Sequence, residues 1–529
     1  MTDELSLASR HLVNRRQALA LGFSAAAAAW RPALAASARE TFVTGRVLES
    51  GGKPLADVLV SNGCDVVKTN DDGYYRISAV SGDHVFIIKP TGFEVAQAAD
   101  TRLPLHYVRI ETPGQICDFH LTRGDDGNRF EAVLMADPQP ENHRHLDIIR
   151  DGALPLLARS NARFGLTLGD IVGDDLHLLG RYNSIAGQAG FAWWNAGGNH
   201  DLDFGAVNHS AARAPFRRVY GPATYAFMQG EALFIVLDNV EYAGAAAWGA
   251  YRGNIGARQL AFVRNLLAQT PRDNLVVLAM HIPLRTEWNP ASARDNTADA
   301  TELLRLLQGR KAVSFSGHMH TIEHLYLPAG ERGDIHHHHV LGALSGSWWS
   351  GPYDHRGRPV AIGGDGSPPG FHILQVSGTE YSTAFTPLRE PQMRLRSILA
   401  RCGPCASPGA LVIDGPVCAG DLPCEVAVNV FDGGPRTHVR LRTPGGEWQA
   451  LARTRRPDPF MIDHFAQAGA IRHDWVKAEP CEHLWAAPLA QLPEGLHRVE
   501  IEAADEYGRI LRDVLVIEAS LRTENVAGQ

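Results

Sequence analysis

The chain has 529 residues, 45% of them hydrophobic and 20% charged, with a formal charge of −8. That length is too great for one core and suggests roughly three or four domains. The acidic balance leaves no basic footprint for nucleic acid, and no fixed internal period marks a solenoid or propeller.

Residues 1–38 read as an export signal rather than as fold. Arg15–Arg16 precede a modest apolar run from Ala18 to Trp30, which closes on Ala36-Ser37-Ala38, small residues that suit a peptidase. The paired arginines point to the twin-arginine route, and hence to a periplasmic or secreted protein. The alternative is a short N-terminal helix. The run is too short and too interrupted to span a bilayer.

Residues 40–123 read as a small β domain. "TFVTGRVLESGGKPLADVLVSNG" and "KTNDDGYYRI" alternate apolar and polar residues between turn residues at Gly51-Gly52, Asn62-Gly63 and Asp72-Gly73. The pattern resembles the transthyretin-like sandwich, a module with no chemistry assigned to it.

Residues 128–386 behave differently. "EAVLMA", "RFGLTL", "FAWWNA", "ALFIVL", "NLVVLAM" and "AVSFS" are apolar runs of strand length. The stretches "HLDIIRDGALPLLARS", "GARQLAFVRNLLAQ" and "ADATELLRLLQ" carry a helical stripe. Such alternation predicts an α/β sheet covered by helices. From 390 to 520 the pattern returns to β, with loops at "TRRPDP" and "PLAQLPEG".

Five of the central runs end in polar residues of one kind. Asp137-Pro138-Gln139, Gly169-Asp170, Gly198-Asn199-His200-Asp201, His281 and Gly317-His318-Met319-His320 each follow a strand. Open α/β sheets place their sites along that edge. No cysteine lies between residues 118 and 401, so a metal there must take nitrogen and oxygen donors. Asp137, Gln139, Asp170, Asn199, His281, His318 and His320 supply enough for two cations ~3.5–4 Å apart that share one carboxylate. Glycine at 169, 198 and 317 is expected to let the backbone turn tightly.

The order of these motifs resembles that of the calcineurin-like metallophosphoesterases, in the bacterial branch that carries N- and C-terminal β modules. The resemblance implies a four-layer αββα sandwich over 128–386, flanked by two small all-β domains at 40–123 and 390–520. It implies two divalent or trivalent metal ions, Fe, Mn or Zn. Asp137, Asp170 and His320 would hold the first, with Asp170 bridging to a second on Asn199, His281 and His318. His200 would act beside the metals, with Asn199, on a small-molecule phosphoester, and Asp201 would orient its imidazole. The implied activity is hydrolysis of a phosphate mono- or diester by a hydroxide activated between the metals. Gln139 departs from the family pattern, which has histidine there; an amide is the poorer donor to a transition metal. A secreted envelope- or glycan-binding module with a decayed site is the alternative that Gln139 favours.

Other features carry less. "IHHHH" at 335–339 runs into a plausible strand and reads as native, its imidazoles packed or solvent-facing, with alternate rings facing the site as the second reading. Trp348, Trp349 and Tyr353 line a pocket or pack the core. Asp174 and Asp175 are acceptors behind the ligands or members of a solvated turn. The seven cysteines, in an oxidising compartment, read mostly as disulfides.

Overall fold

The computed structural model describes residues 41–520, apart from 126, 246–249, 331–332, 403–407, 419–423 and 468–472. The expected export signal at 1–38 lies outside the described residues. The fold is mixed α/β, with many sheets and few helices. None of the described helices is long and apolar enough to cross a membrane.

Every apolar run read as a strand forms one. A five-stranded sheet has the order Ala192–Ala196, Ala162–Leu168, Arg129–Met135, Gly370–Ser377, Glu380–Pro387. Its first three strands run parallel, with Val133 opposite Gly165 and Gly165 opposite Trp193. A six-stranded sheet has the order Tyr225–Gln229, Ala232–Val236, Leu275–Ala279, Ala312–Ser316, Asp334–Val340, Glu323–Ala329. Its four middle strands are also parallel.

The period of two along each strand sorts side chains into two cores. Ala132 and Leu134 join one cluster, with Phe234, Val277 and Phe315 of the other sheet. Aromatic rings fill that space: Trp194 stacks on Phe227 at 4.2 Å, and Phe164 meets Phe234 edge-on at 5.1 Å. Each such buried ring contributes ~1.5–3 kcal/mol. Val133 and Met135 point the opposite way, onto Leu146 and Ile149 of helix His143–Gly152 and Tyr182 of helix Leu179–Gly187. Asn142 caps the first helix by accepting from the His145 amide.

The segments at either end are built of sheets. Two four-stranded sheets occupy Thr41–Arg123, and their core is continuous with that of the central sheets: Phe86 meets Phe262 at 5.9 Å, and His106 meets Trp194 at 5.0 Å. Beyond Leu395, a four-stranded and a five-stranded sheet enclose a separate core around Val428, Trp485 and Ile501. The sequence suggested strands and loops alone there. The structure adds helix Pro459–Gln467, and strand Ala452–Pro457 where "TRRPDP" reads as loop. The long helix expected over 145–160 is broken at Ala153, with Pro155 opening the short helix Leu154–Leu157, where its missing N–H costs nothing. Cys64, Cys117 and Cys481 are thiols, so none of these three is in a disulfide; Cys405 lies outside the described residues.

Candidate metal centre

Parallel pairing puts the C-terminal ends of Arg129–Met135, Ala162–Leu168 and Ala192–Ala196 along one edge, and these ends deliver Asp137, Asp170 and Asn199. Leu275–Ala279 and Ala312–Ser316 deliver His281, His318 and His320 from the other sheet. A backbone bond joins the two edges, with Leu344 N–H donating to Ala136 C=O, and a second, Gly317 N–H to His281 C=O, ties the two loops of the six-stranded sheet. The seven expected donors are thereby brought into one linked set, all of them buried except His318, which is half-buried.

The links run as follows. Asp137 accepts from the His318 amide at 2.9 Å, and His320 Nε2 lies 3.7 Å from Asp137 Oδ1. Gln139 donates to Asp170 Oδ2 at 3.1 Å. His281 Nε2 is 3.3 Å from Asp170 Oδ1, 3.0 Å from Asn199 Oδ1 and 3.1 Å from His318 Nδ1.

The proton inventory says what belongs there. His281 Nδ1 faces the Leu168 carbonyl at 2.9 Å, so that nitrogen carries the hydrogen and Nε2 presents a lone pair. His318 Nε2 faces Asp295 Oδ1 at 3.4 Å, which leaves its Nδ1 as the acceptor. Lone pairs from Asp170, Asn199, His281 and His318 therefore converge, and only a cation or a proton satisfies all of them. On the other side, His320 Nδ1 faces the Gly346 carbonyl at 2.8 Å, which turns Nε2 toward Asp137. The amide oxygen of Gln139 is buried with no hydrogen-bond partner among the described residues. The donor set thus fits cations, and the Leu168 and Gly346 carbonyls and the Asp295 carboxylate fix the three imidazoles as metal ligation requires.

Electrostatics agree with this fit. Burial opposes charge on His281, but the Asp170 carboxylate outweighs it and raises the pKa to about 9. A proton takes the place of the positive charge there. Burial is the main force pushing the Asp137 carboxyl up, to about 7, with His281 opposing it and Asp170 adding to it.

The backbone is strained at the same place. Asp137, Gln139, Asp170, Asp174, His318, His320, Trp348 and Trp349 all have φ between 41° and 75°. Such conformations cost about 1–3 kcal/mol each in non-glycine residues and persist where surrounding structure imposes them. Gly198 and Gly317 serve by size rather than by turn geometry. A Cβ on Gly198 would lie 2.1 Å from Asp170 Oδ1, and one on Gly317 would lie 2.3 Å from Asp137 Oδ2.

One expected pairing is corrected. Asp201 does not orient His200. Its buried carboxylate accepts from the amides of Gly198 at 2.8 Å, Ile171 at 3.2 Å and Val172 at 3.3 Å, and so ties two ligand loops together. Asp174 takes the expected role, with Oδ1 2.8 Å from His200 Nδ1. Asp201 is drawn inward because three amides there need an acceptor; burial raises its pKa to about 6, with Asp170 adding to the effect.

The aromatic residues divide. Trp348 stacks on His320 at 4.1 Å, Trp349 is buried and donates to the Pro138 carbonyl, and Tyr353 is exposed. His143 opens a surface helix, and His145 lies 6.3 Å from the Trp349 ring. The histidine run is packed, not solvent-facing.

Sequence reasoning missed the supports. Buried Arg213 donates to the Gly198 carbonyl and to both oxygens of Asp238. Asn239 accepts from the amides of His281 and Ile282. Asp295 backs His318 from a loop. None stands in a motif; only a strand-end position after "ALFIVL" hinted at Asp238 and Asn239.

Residues 41–124 match the model for the N terminal of calcineurin-like phosphoesterase, and residues 338–510 the model for its C terminal. The matches flank residues 125–337, where the seven donors lie. No curated protein matches the chain. Among solved structures, the chain is similar to a purple acid phosphatase from yellow lupin (Lupinus luteus) seeds. The identity is 12%, over 64% of this chain and 68% of that one, with a TM-score of 0.36. It is also similar to a dimetal phosphatase from Danio rerio, at 14% identity over 48% of this chain and 98% of that one, with a TM-score of 0.32. The matches at both ends identify N- and C-terminal domains of the calcineurin-like phosphoesterase type, and they support a hydrolase that acts on phosphoric ester bonds.

Proposed function

We propose that the protein is an exported two-metal phosphoesterase acting on a small phosphate mono- or diester. The observation that carries this is the convergence of lone pairs from Asp170, Asn199, His281 and His318 in a buried site. Asp137, Asp170, Gln139 and His320 would hold one cation; Asp170, Asn199, His281 and His318 the other. Iron, manganese and zinc all suit this donor set. Bound there, the pair would lower the pKa of a water and neutralise charge on the phosphate.

The chain's own residues have distinct roles. Asn199 orients toward the phosphate oxygens from the metal edge. Asp174 accepts the Nδ1 hydrogen of His200 and stabilises the ring in its charged form, which carries a second hydrogen on Nε2. His200 then protonates the leaving alkoxide through Nε2, 4.0 Å from Asp170 Oδ2 at the rim of the site. Asp201 keeps the two loops in register.

We read the layers as helices, sheet, sheet, helices over 128–386, with β domains at 40–123 and 390–520. Export by the twin-arginine route to the periplasm or beyond is supported by Arg15–Arg16 and the small residues ending at Ala38. The test is metal analysis of the purified chain beside rates on chromogenic phosphate mono- and diesters. Two equivalents of metal and hydrolysis that both vanish in Asp170→Ala are expected. A chain that binds no metal at this edge would support the decayed-site alternative.

A further inference from the structure

The hairpin Glu323–Ala329 and Asp334–Val340 places five histidines on two faces. Its register sets His324 opposite His339 and Tyr326 opposite His337. The period of two therefore gathers His324, His337 and His339 on one face, and His336 and His338 on the other.

The two faces differ in how their ring nitrogens are used. His336 Nε2 and His338 Nδ1 each bond Ser314 Oγ at 2.7 Å, and His338 Nε2 accepts from the Leu284 amide at 3.1 Å. That face is satisfied by hydroxyl and backbone. On the first face the ring centroids of His337 and His339 are 3.9 Å apart, and those of His324 and His339 4.5 Å apart. One nitrogen from each of the three lies within 4.8 Å of the others.

Their outer nitrogens have partners. His324 Nε2 is 3.0 Å from Asp432 Oδ1, and His337 Nδ1 is 2.9 Å from Tyr381 Oη. Their inner nitrogens, His324 Nδ1 and His337 Nε2, face each other at 3.0 Å. His339 is fully buried, and neither of its ring nitrogens has a hydrogen-bond partner among the described residues. A buried polar group left unpaired is costly, so this arrangement asks for something more. Burial also holds His337 and His339 well below the ordinary histidine pKa, so both rings are neutral and can donate lone pairs.

We propose that His324, His337 and His339 form a further metal site, for one zinc-class divalent ion, separate from the catalytic edge. Neutral imidazole is the donor such ions prefer. Tetrahedral ligands at ~2.0–2.1 Å stand about 3.3 Å from one another; His324 Nδ1 and His337 Nε2 are 3.0 Å apart, and the three nitrogens all lie within 4.8 Å. The carboxylate of Asp432 behind His324, and the hydroxyl of Tyr381 behind His337, are the outer partners that fix metal-bound imidazoles. Asp432 is itself held by His372 Nε2 at 3.2 Å and Thr383 Oγ1 at 3.1 Å, in a backbone with φ of 65°. The ion would clamp three parts of the fold together: the outer hairpin of the six-stranded sheet, the Glu380–Pro387 edge of the five-stranded sheet, and the segment carrying Asp432. The site shares no residue with the catalytic edge and does not depend on its activity.

The metal-free account makes His324 an imidazolium between Asp432 and His337, which leaves His339 unexplained. Metal counting separates the two. The full chain carrying Asp170→Ala and His281→Ala is stripped with chelator, reloaded with Zn(II) or Co(II), and dialysed. One tightly bound equivalent is expected, with visible Co(II) bands of tetrahedral intensity and a Zn(II)-dependent rise in Tm. Adding His339→Leu should remove the equivalent, the bands and the rise. If the double variant fails to fold, the native chain and single His339→Leu are compared, and bound zinc should fall by one equivalent. A folded double variant without zinc, or an equivalent that His339→Leu leaves in place, would overturn the proposal.

Discussion

Asp174 Oδ1 stands 2.8 Å from His200 Nδ1, while Asp201, next to His200 in sequence, faces away into three backbone amides. This divides two carboxylates into two jobs. Asp174→Asn should lower turnover roughly 10–100-fold, the usual cost of removing an orienting partner, with bound metal unchanged. Asp201→Asn should instead lower Tm, because a buried acceptor of three amides is weakened. Turnover per metal-loaded molecule beside a thermal melt distinguishes these effects.

His200→Ala should keep both metals and slow turnover by about 10²–10⁴-fold, the typical worth of a positioned acid. The loss should shrink as the leaving group improves, since a stable phenolate needs no proton. A series of aryl phosphates of graded leaving-group pKa measures this. Equal losses across the series would remove His200 from proton transfer.

Gly198→Ala should strip metal and also lower stability, because the added Cβ would meet the Asp170 backbone nitrogen at 2.1 Å. The added Cβ would sit 2.1 Å from Asp170 Oδ1, the oxygen shared with His281. Metal content per folded molecule is the readout, with circular dichroism as the control.

Arg213→Met should destabilise strongly although Arg213 has no assigned chemistry. Its guanidinium is buried, pairs with both oxygens of Asp238 and supports the Gly198 carbonyl. Removing one partner of a buried pair costs about 3–5 kcal/mol, because the other charge is left alone. Denaturant unfolding checks the size, and Arg213→Met with Asp238→Leu should recover part of it.

Acid should loosen the junction between the N-terminal sheets and the central ones. His106 lies there among Phe86, Trp194 and Tyr225, and burial lowers its pKa to about 4. The unfolded chain binds this proton at pH ~6.5, the folded chain only near 4. Its contribution to stability is therefore complete above ~6.5 and is lost progressively as pH falls to about 4, at ~1.4 kcal/mol per unit. Unfolding midpoints across that range should fall less steeply in His106→Gln.

The sequence by itself determined the strands and the polar residues at their ends. Alternating apolar residues bury one face whatever the partner, so "EAVLMA" or "AVSFS" identifies a strand locally, and parallel strands put Asp137 and Asp170 on the edge of one sheet and His281 and His318 on the edge of the other. The fold alone decided which group supports which ligand. Asp174 reaches His200 because residue 174 takes a left-handed conformation, with φ of 73°, and not because of its place in the chain. Arg213 meets Gly198, and Asp432 meets His324, across 15 and 108 positions. Periodicity reports which face a side chain occupies, but a hydrogen bond depends on a few tenths of an ångström between segments that only packing brings together.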